Sequence, residues 1–309
     1  MRAAIDVGSN TVRMLLASVA ADGILVPLHY SRKVTRLGGG FTRESLSSEG
    51  MERTLLALHQ FAAELGAAKV EEVIAVGTAA LRRAKNGKEF VARIRHETGL
   101  VVDVIDGEKE AYLAATGVLA ALDPKPSHAL IFDIGGGSTE FILVADGKHL
   151  FHRSYPLGVV SLCEGGGDAS KQLRQIDNCL DALQRDLRTV GALDQVHDSR
   201  ALLVGTAGTV TTLAALQLGM EDYDWRRVNN LVLTQRDLQN WANRLARLDV
   251  TERERLPGLE KGRGDLILPG VMIVLQLLRR FSRDRLTVSD FGLLEGLLLE
   301  HAGMAQGLD

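Results

Sequence analysis

Along the chain, short runs of β-branched and aromatic residues alternate with longer stretches in which apolar residues recur every three or four positions. That alternation predicts strands interleaved with helices. Ala3 to Val7 and Val12 to Ala20 read as a hairpin, and Ala21-Asp22-Gly23 as the next turn. Ser47 or Ser48 can cap a helix whose apolar face is Met51, Leu55, Leu58, Ala62 and Leu65, stopped by Gly66. Val73 to Val76 is a short buried strand, and Gly77-Thr78 leaves it for a helix carrying Arg82, Arg83 and Lys85. An amphipathic helix over Lys88 to Thr98, a strand over Val101 to Ile105, and a helix from Asp106 to about Leu122 complete the first half. Two of the chain's six prolines fall in Asp123 to Ser127, where the chain is expected to divide into domains 1–124 and 125–309.

The second half repeats the pattern. Ala129 to Phe132 has the character of a buried strand, Phe141 to Val144 opens a second apolar run, and Ala145 to Lys148 turns back into Leu150 to Tyr155. Gly165 to Gly167 read as a loop, Leu173 to Leu187 as an amphipathic helix, and Ala201 to Val204 as a strand. Thr234 caps a helix through about Leu248, Leu266 to Phe281 is a buried helix, and Leu286 to Val288 is a strand before a C-terminal helix. The fold class is α/β.

The chemistry concentrates at Ile131 to Glu140, I-F-D-I-G-G-G-S-T-E. Asp133 projects a carboxylate from a strand's end, where open α/β sheets place their ligands. Gly135, Gly136 and Gly137 let backbone N–H groups approach an anion, and Ser138 and Thr139 add hydroxyl donors. Asp133 and Glu140 beside such a cradle suit a divalent cation bridging phosphate oxygens. A tight hairpin turn with incidental acids is the alternative. A second copy weakens it: Ile5-Asp6-Val7-Gly8 aligns on Phe132-Asp133-Ile134-Gly135, with Ser9, Asn10 and Thr11 following. A third glycine-rich turn, V-G-T-A-G-T-V-T-T over Val204 to Thr212, follows the strand at Ala201 to Val204.

Composition narrows the classes. With 309 residues and 46% hydrophobic content the chain can bury two cores. Its formal net charge of -3 confines any polyanion to a local basic cleft and argues against DNA as a partner. Cys163 and Cys179 read as reduced thiols, which fits a cytoplasmic location. No targeting pattern interrupts the N-terminus, where Asp6 and Arg13 break the apolar run. The uncharged stretch Ala201 to Met220 contains glycines, threonines and Gln217, so it is expected to be strand, turn and helix rather than a membrane span. His96-Glu97 lacks the second histidine of a zinc motif.

The order of these motifs resembles the actin, sugar-kinase and heat-shock ATPase superfamily and, within it, the exopolyphosphatase and guanosine pentaphosphate phosphohydrolase family. The residues that carry the narrower resemblance are I-D-V-G-S-N-T-V-R (Ile5 to Arg13), R-L-G-G-G (Arg36 to Gly40), G-T-A-A-L-R-R-A-K-N (Gly77 to Asn86), G-E-K-E-A (Gly107 to Ala111), D-I-G-G-G-S-T-E (Asp133 to Glu140) and G-T-A-G-T (Gly205 to Thr209). The resemblance implies two duplicated actin-like, ribonuclease H-like α/β domains with a cleft between them. It implies phosphate contacts from Gly8, Ser9, Asn10 and Thr11, from Gly135 to Thr139, and from Gly205, Thr206 and Gly208. Mg²⁺ would lie near Asp6, Asp133 and Glu140. Arg82, one turn into a helix that leaves a strand's C-terminal end, can reach phosphate oxygens bidentately. Glu110, immediately before Ala111, matches the family's catalytic glutamate, although a glutamate in a first helical turn ordinarily complements the helix dipole. The segment from Arg32 to Gly40 would lie near the phosphate path, and Pro156-Leu157-Gly158-Val159 matches a further family segment without an assigned role. One departure is visible: the family's G-L-R-E-G reads Gly292-Leu293-Leu294-Glu295-Gly296 here.

Three activities compete at this stage. The first is an exopolyphosphatase that removes terminal phosphate from inorganic polyphosphate; the second is a 5'-phosphohydrolase acting on guanosine pentaphosphate, the nucleotide of the bacterial stringent response. The third is a binding protein of low turnover, which the loss of the arginine at Leu294 keeps open. A small-molecule kinase is a further alternative. The resemblance also allows a homodimer. Polyphosphate is favoured over the nucleotide, because Thr206 to Thr212 is followed only by alanines and leucines and the nearest aromatics, Tyr223 and Trp225, can serve as core.

Overall fold

The structure, a computed structural model, describes residues 1–19, 25–39, 44–164, 169–198 and 200–303. The turn expected at Ala21 to Gly23, the loop at Gly165 to Gly167 and the last glycine of the R-L-G-G-G motif, Gly40, lie outside them. The chain divides into two compact units, Met1–Gly117 with Gly292–Gln306, and Val118–Phe291 with Gly307–Asp309. This differs from a division at 124/125 in two respects: the boundary falls at 117/118, within the helix Gly107–Ala121, and the C-terminal helix counts with the first unit.

The first unit runs β1 (Arg2–Val7), β2 (Thr11–Val19), β3 (Leu25–Val34), α1 (Ser48–Ala67), β4 (Glu72–Gly77), α2 (Ala79–Arg83), α3 (Gly87–Thr98), β5 (Val102–Val104) and α4 (Gly107–Ala121). Its sheet has the order β3-β2-β1-β4-β5. β1 is antiparallel to β2 and parallel to β4. Ser47 caps α1, its hydroxyl accepting from the Gly50 N–H at 3.2 Å; of the predicted face Leu55, Leu58 and Leu65 are buried and Met51 and Ala62 partly so, with Phe61 joining them. Arg32 and Lys33, at the start of the segment expected near the phosphate path, lie in β3. The alternation that marks a strand is lost there because β3 is an edge strand, with Leu28, His29 and Tyr30 all exposed.

The second unit continues with β6 (His128–Ile134), β7 (Thr139–Ala145), β8 (Lys148–Tyr155), α5 (Val159–Glu164), α6 (Ala169–Thr189), α7 (Leu193–His197), β9 (Leu202–Thr206), α8 (Ala207–Leu218), α9 (Trp225–Val228), β10 (Val232–Thr234), α10 (Gln235–Leu245), α11 (Val250–Arg253), α12 (Ile267–Arg280) and β11 (Arg285–Val288). Its sheet order is β10-β11-β9-β6-β7-β8. Leaving β10 aside, this repeats the first sheet with β6, β7 and β8 in the places of β1, β2 and β3. Even the irregularities correspond: the β2–β3 ladder shifts register between Leu16 and Ala17, and the β7–β8 ladder between Leu143 and Val144, each at the same distance past its aspartate. The core gathers Phe132, Phe141, Leu180, Leu213, Val271 and Phe281, and α12 is the buried helix expected from its composition. The stretch Ala201 to Met220 is β9 followed by α8, and among the described residues no helix is long and apolar enough to cross a membrane.

The last helix, α13 (Leu293–His301), packs on β1 and β2. Its contact with α4 is so close that a Cβ on Gly296 would run into the Leu113 carbonyl. Glu295 accepts from the Gly292 N–H at 2.7 Å, Lys109 pairs with Glu300, and His301 bonds Glu72 at 2.6 Å. Leu294, where the family has arginine, is 3% exposed and belongs to this apolar packing.

Candidate active site

In the first unit the turn between β1 and β2 is closed by the Gly8 N–H donating to the Thr11 carbonyl at 3.0 Å. The segment after β3 holds this turn from one side: Thr35 and Arg36 N–H groups donate to the Asn10 carbonyl at 3.0 and 2.9 Å, and Gly38 N–H to the Ser9 carbonyl at 2.7 Å. In a trans peptide the N–H points opposite to the C=O. Fixing the Ser9 and Asn10 carbonyls therefore turns the N–H groups of Asn10 and Thr11 the other way. This is the structural work of the described part of the R-L-G-G-G motif.

Asp6 is 2% exposed and pairs with Arg13, whose Nη2 and Nε lie 2.6 and 2.9 Å from Oδ2. Its other oxygen, Oδ1, is buried without a hydrogen-bond partner, as are Asn10 Oδ1 and Thr35 Oγ1. Orphaned buried oxygens of this kind suit a cation or an ordered water. Glu110, in the first turn of α4, accepts a 3.1 Å bond from Arg82 Nη1, which also donates to the Ile105 carbonyl at 2.7 Å. Arg82, expected on phosphate oxygens, is thus found on the glutamate.

In the second unit the same turn recurs: Gly135 N–H donates to the Ser138 carbonyl at 2.9 Å. Here the start of α5 holds it. Val159 N–H donates to the Gly135 carbonyl at 3.1 Å, and Val160 and Ser161 N–H groups to the Gly136 carbonyl at 2.9 and 3.2 Å. The N–H groups of Gly136 and Gly137 consequently point away from α5. Gly158 lies so close to Gly136 that a Cβ would overlap its carbonyl, which gives Pro156-Leu157-Gly158-Val159 the role the sequence left open. The hydroxyls are engaged within the protein: Thr139 donates to the Leu157 carbonyl, and Ser138 to Glu140 at 2.7 Å.

Asp133 stands directly opposite Glu140 in the β6–β7 ladder, and the row continues to Ser154 on β8 and Thr206 on β9. Ser154 also donates to Glu140 Oε1 at 2.7 Å, and Glu140 is 3% exposed. Two adjacent carboxylates on one face repel unless a cation or a proton intervenes. Among the described residues no group of three or more His, Cys, Asp or Glu side chains is placed to hold a metal. A two-carboxylate site nonetheless fits Mg²⁺, which takes one or two carboxylates and completes its shell with water and phosphate oxygens.

The third glycine turn is tied to the second. Thr209 donates to the Ile134 carbonyl at 3.3 Å, and Thr206 to the Phe291 carbonyl at 2.8 Å. Ala207 adopts a left-handed conformation, φ 62°, to start α8. Arg263, 8% exposed, lies over Gly208 at the N-terminal end of α8, where any side chain would overlap its guanidinium. It also donates to Glu260 at 3.2 Å. The sequence missed what stands beside this turn: the Phe291 ring is 5.4 Å from that of Trp225, and Arg226 lies 4.7 Å over Trp225. Tyr223 bonds Asp290, and Asn229 accepts from the Asp290 N–H at 3.2 Å. Phe291 is far from Trp225 in sequence, so no local pattern signals the pair. Arg13 was within reach of sequence reading, because aligning the two loops sets it where Glu140 stands.

A duplicated α/β core with a glycine turn after each leading strand is the fold of the actin-like ATPases, and carboxylates beside such turns suit a phosphate-handling protein. The chain belongs to the Ppx/GppA phosphatase family, whose model matches residues 16–304. It is 33% identical to Exopolyphosphatase 2 of Mycobacterium tuberculosis, over 97% of this chain and 98% of that protein. It is 29% identical to a bifunctional 3-dehydroquinate synthase/phosphatase of Fusobacterium nucleatum, over 97% of this chain but 46% of that longer protein. Among solved structures, the Aquifex aeolicus member of the Ppx/GppA family superposes with a TM-score of 0.77 at 33% identity, covering 99% of this chain and 98% of that one. An exopolyphosphatase from Cytophaga hutchinsonii superposes with a TM-score of 0.86 at 28% identity, covering 100% and 98%.

Proposed function

We propose that this phosphatase is a Mg²⁺-dependent exopolyphosphatase that releases terminal phosphate from inorganic polyphosphate. The observation that carries the reading is the pair of equivalent turns, each with its carbonyls held from behind so that backbone N–H groups are presented in fixed directions. Preset donors neutralise transferring phosphoryl oxygens without reorganising during the reaction. The residues available are Asn10 and Thr11 in the first unit, and Gly136, Gly137 and the start of α8 in the second. Asp133 and Glu140 of the second unit would hold Mg²⁺. When bound, the ion supplies positive charge against the phosphate oxygens. Glu110 takes the proton of the attacking water as general base.

A specific observation supports guanosine pentaphosphate as the second reading. Recognising a base requires an aromatic surface with amide or carboxylate partners, and Trp225, Phe291, Asn229 and Asp290 stand together beside the third turn. The deciding experiment measures phosphate release from polyphosphate and from guanosine pentaphosphate side by side, with Mg²⁺ and with EDTA. Polyphosphate hydrolysis abolished by EDTA is the expected result. A kcat/KM for the nucleotide about tenfold higher, or roughly 1.4 kcal/mol of transition-state preference, would make the second reading the first. No phosphate release from either substrate, with tight binding of one, would leave a binding protein.

A further inference from the structure

We infer that Arg82 is a positioning residue that acts through Glu110, not a ligand of the phosphate chain; the inference rests on the reading of Glu110 as general base. Arg82 reaches both sides of the turn between β5 and α4. Its Nη1 donates at 2.7 Å to the carbonyl of Ile105, just before the turn, and at 3.1 Å to the carboxylate of Glu110, just after it. The turn is itself fixed. Ile105 N–H bonds the Gly77 carbonyl at 3.1 Å at the end of β4, and Asp106 starts α4 by accepting from Lys109 and Glu110 N–H groups at 2.7 and 3.1 Å. Arg82 is anchored on the same strand end, since its own N–H donates to the Thr78 carbonyl at 3.0 Å. Strand end, arginine and glutamate are thus linked by hydrogen bonds within a single unit. Both side chains are largely enclosed, Arg82 25% and Glu110 13% exposed.

A glutamate has several rotamers, and a general base must hold its carboxylate within hydrogen-bond reach of one water. A guanidinium pinned by a backbone carbonyl removes that freedom. A phosphate ligand would behave otherwise, because its loss weakens binding of the chain in the ground state as well.

The test compares wild type, Arg82→Ala, Arg82→Lys, Glu110→Gln and Arg82→Ala/Glu110→Gln, measuring kcat and KM for polyphosphate with far-UV circular dichroism and melting temperature as folding controls. Arg82→Ala should lower kcat about tenfold or more with KM changed less than about twofold, and Arg82→Lys should recover part of the loss by reaching one of the two acceptors. The double variant should be no slower than Glu110→Gln alone, because two residues acting as a unit are not additive. Arg82→Gln, which keeps a polar but shorter side chain that cannot span both acceptors, replaces Arg82→Ala if the latter fails to fold. A rise in KM of about fivefold or more at unchanged kcat, or an additive loss in the double variant, overturns the inference while leaving Glu110 in place. If Glu110→Gln keeps wild-type kcat, the general-base reading falls and the inference falls with it.

Discussion

Asp133 and Glu140 face each other across the β6–β7 ladder in the register that Asp6 and Arg13 hold across β1–β2. Duplication kept the geometry and inverted one charge. The first hairpin neutralises its aspartate with an arginine; the second sets two carboxylates side by side, where the proposed Mg²⁺ would offset their repulsion.

Asp133→Asn and Glu140→Gln should each raise the Mg²⁺ concentration for half-maximal rate, since each removes charge that holds the ion. The measurement is a metal titration of phosphate release. Unchanged titrations in both variants would reduce the pair to structural acids.

Arg13→Leu should cost about 3 kcal/mol of stability, because it leaves the carboxylate of Asp6 buried and unpaired. Adding Asp6→Asn should restore a large part of that loss. Urea unfolding of the single and double variants checks this. A single variant within roughly 0.5 kcal/mol of wild type would mean that the pair is balanced by solvent.

Gly158→Ala should act on the site more than on the fold. The new methyl must displace the carbonyl of Gly136, and with it the direction of the Gly137 N–H. Kinetics on polyphosphate should show a loss in kcat/KM of about tenfold or more, as when one preset donor is misdirected. Wild-type kinetics would show that the peptide direction at this turn is unimportant.

Stability should fall on acidification partly through His149. Burial first, and then the neighbouring charge of His152, lower its pKa from 6.5 to about 4. Between these values the unfolded chain binds the proton and the folded one does not. The stabilisation is therefore complete above about pH 6.5 and is lost as pH falls toward 4. His149→Asn should flatten this part of the curve, so that its melting temperature drops less than that of wild type between pH 7 and pH 5. Parallel curves would show that other groups govern the acid limb.

The sequence by itself determined most of the elements and the places of the glycine turns. Runs such as Ala129 to Phe132 and Phe141 to Val144, short and bounded by turn residues, read as buried strands, and an aspartate followed by glycine at a strand's end marks a tight turn in either copy, because strand pattern and glycine geometry are local properties. The edge strand β3 was illegible for the same reason: its exposure follows from its place in the sheet, not from its own residues. Tertiary structure alone decided the partners. It set Arg82 on Glu110 and the N–H groups of α5 on the carbonyls of Gly135 and Gly136. It joined Phe291 to Trp225 beside the third turn and placed the C-terminal helix with the first unit. Each of these depends on distant segments meeting at hydrogen-bond or packing distance, and no periodicity along the chain encodes such a distance.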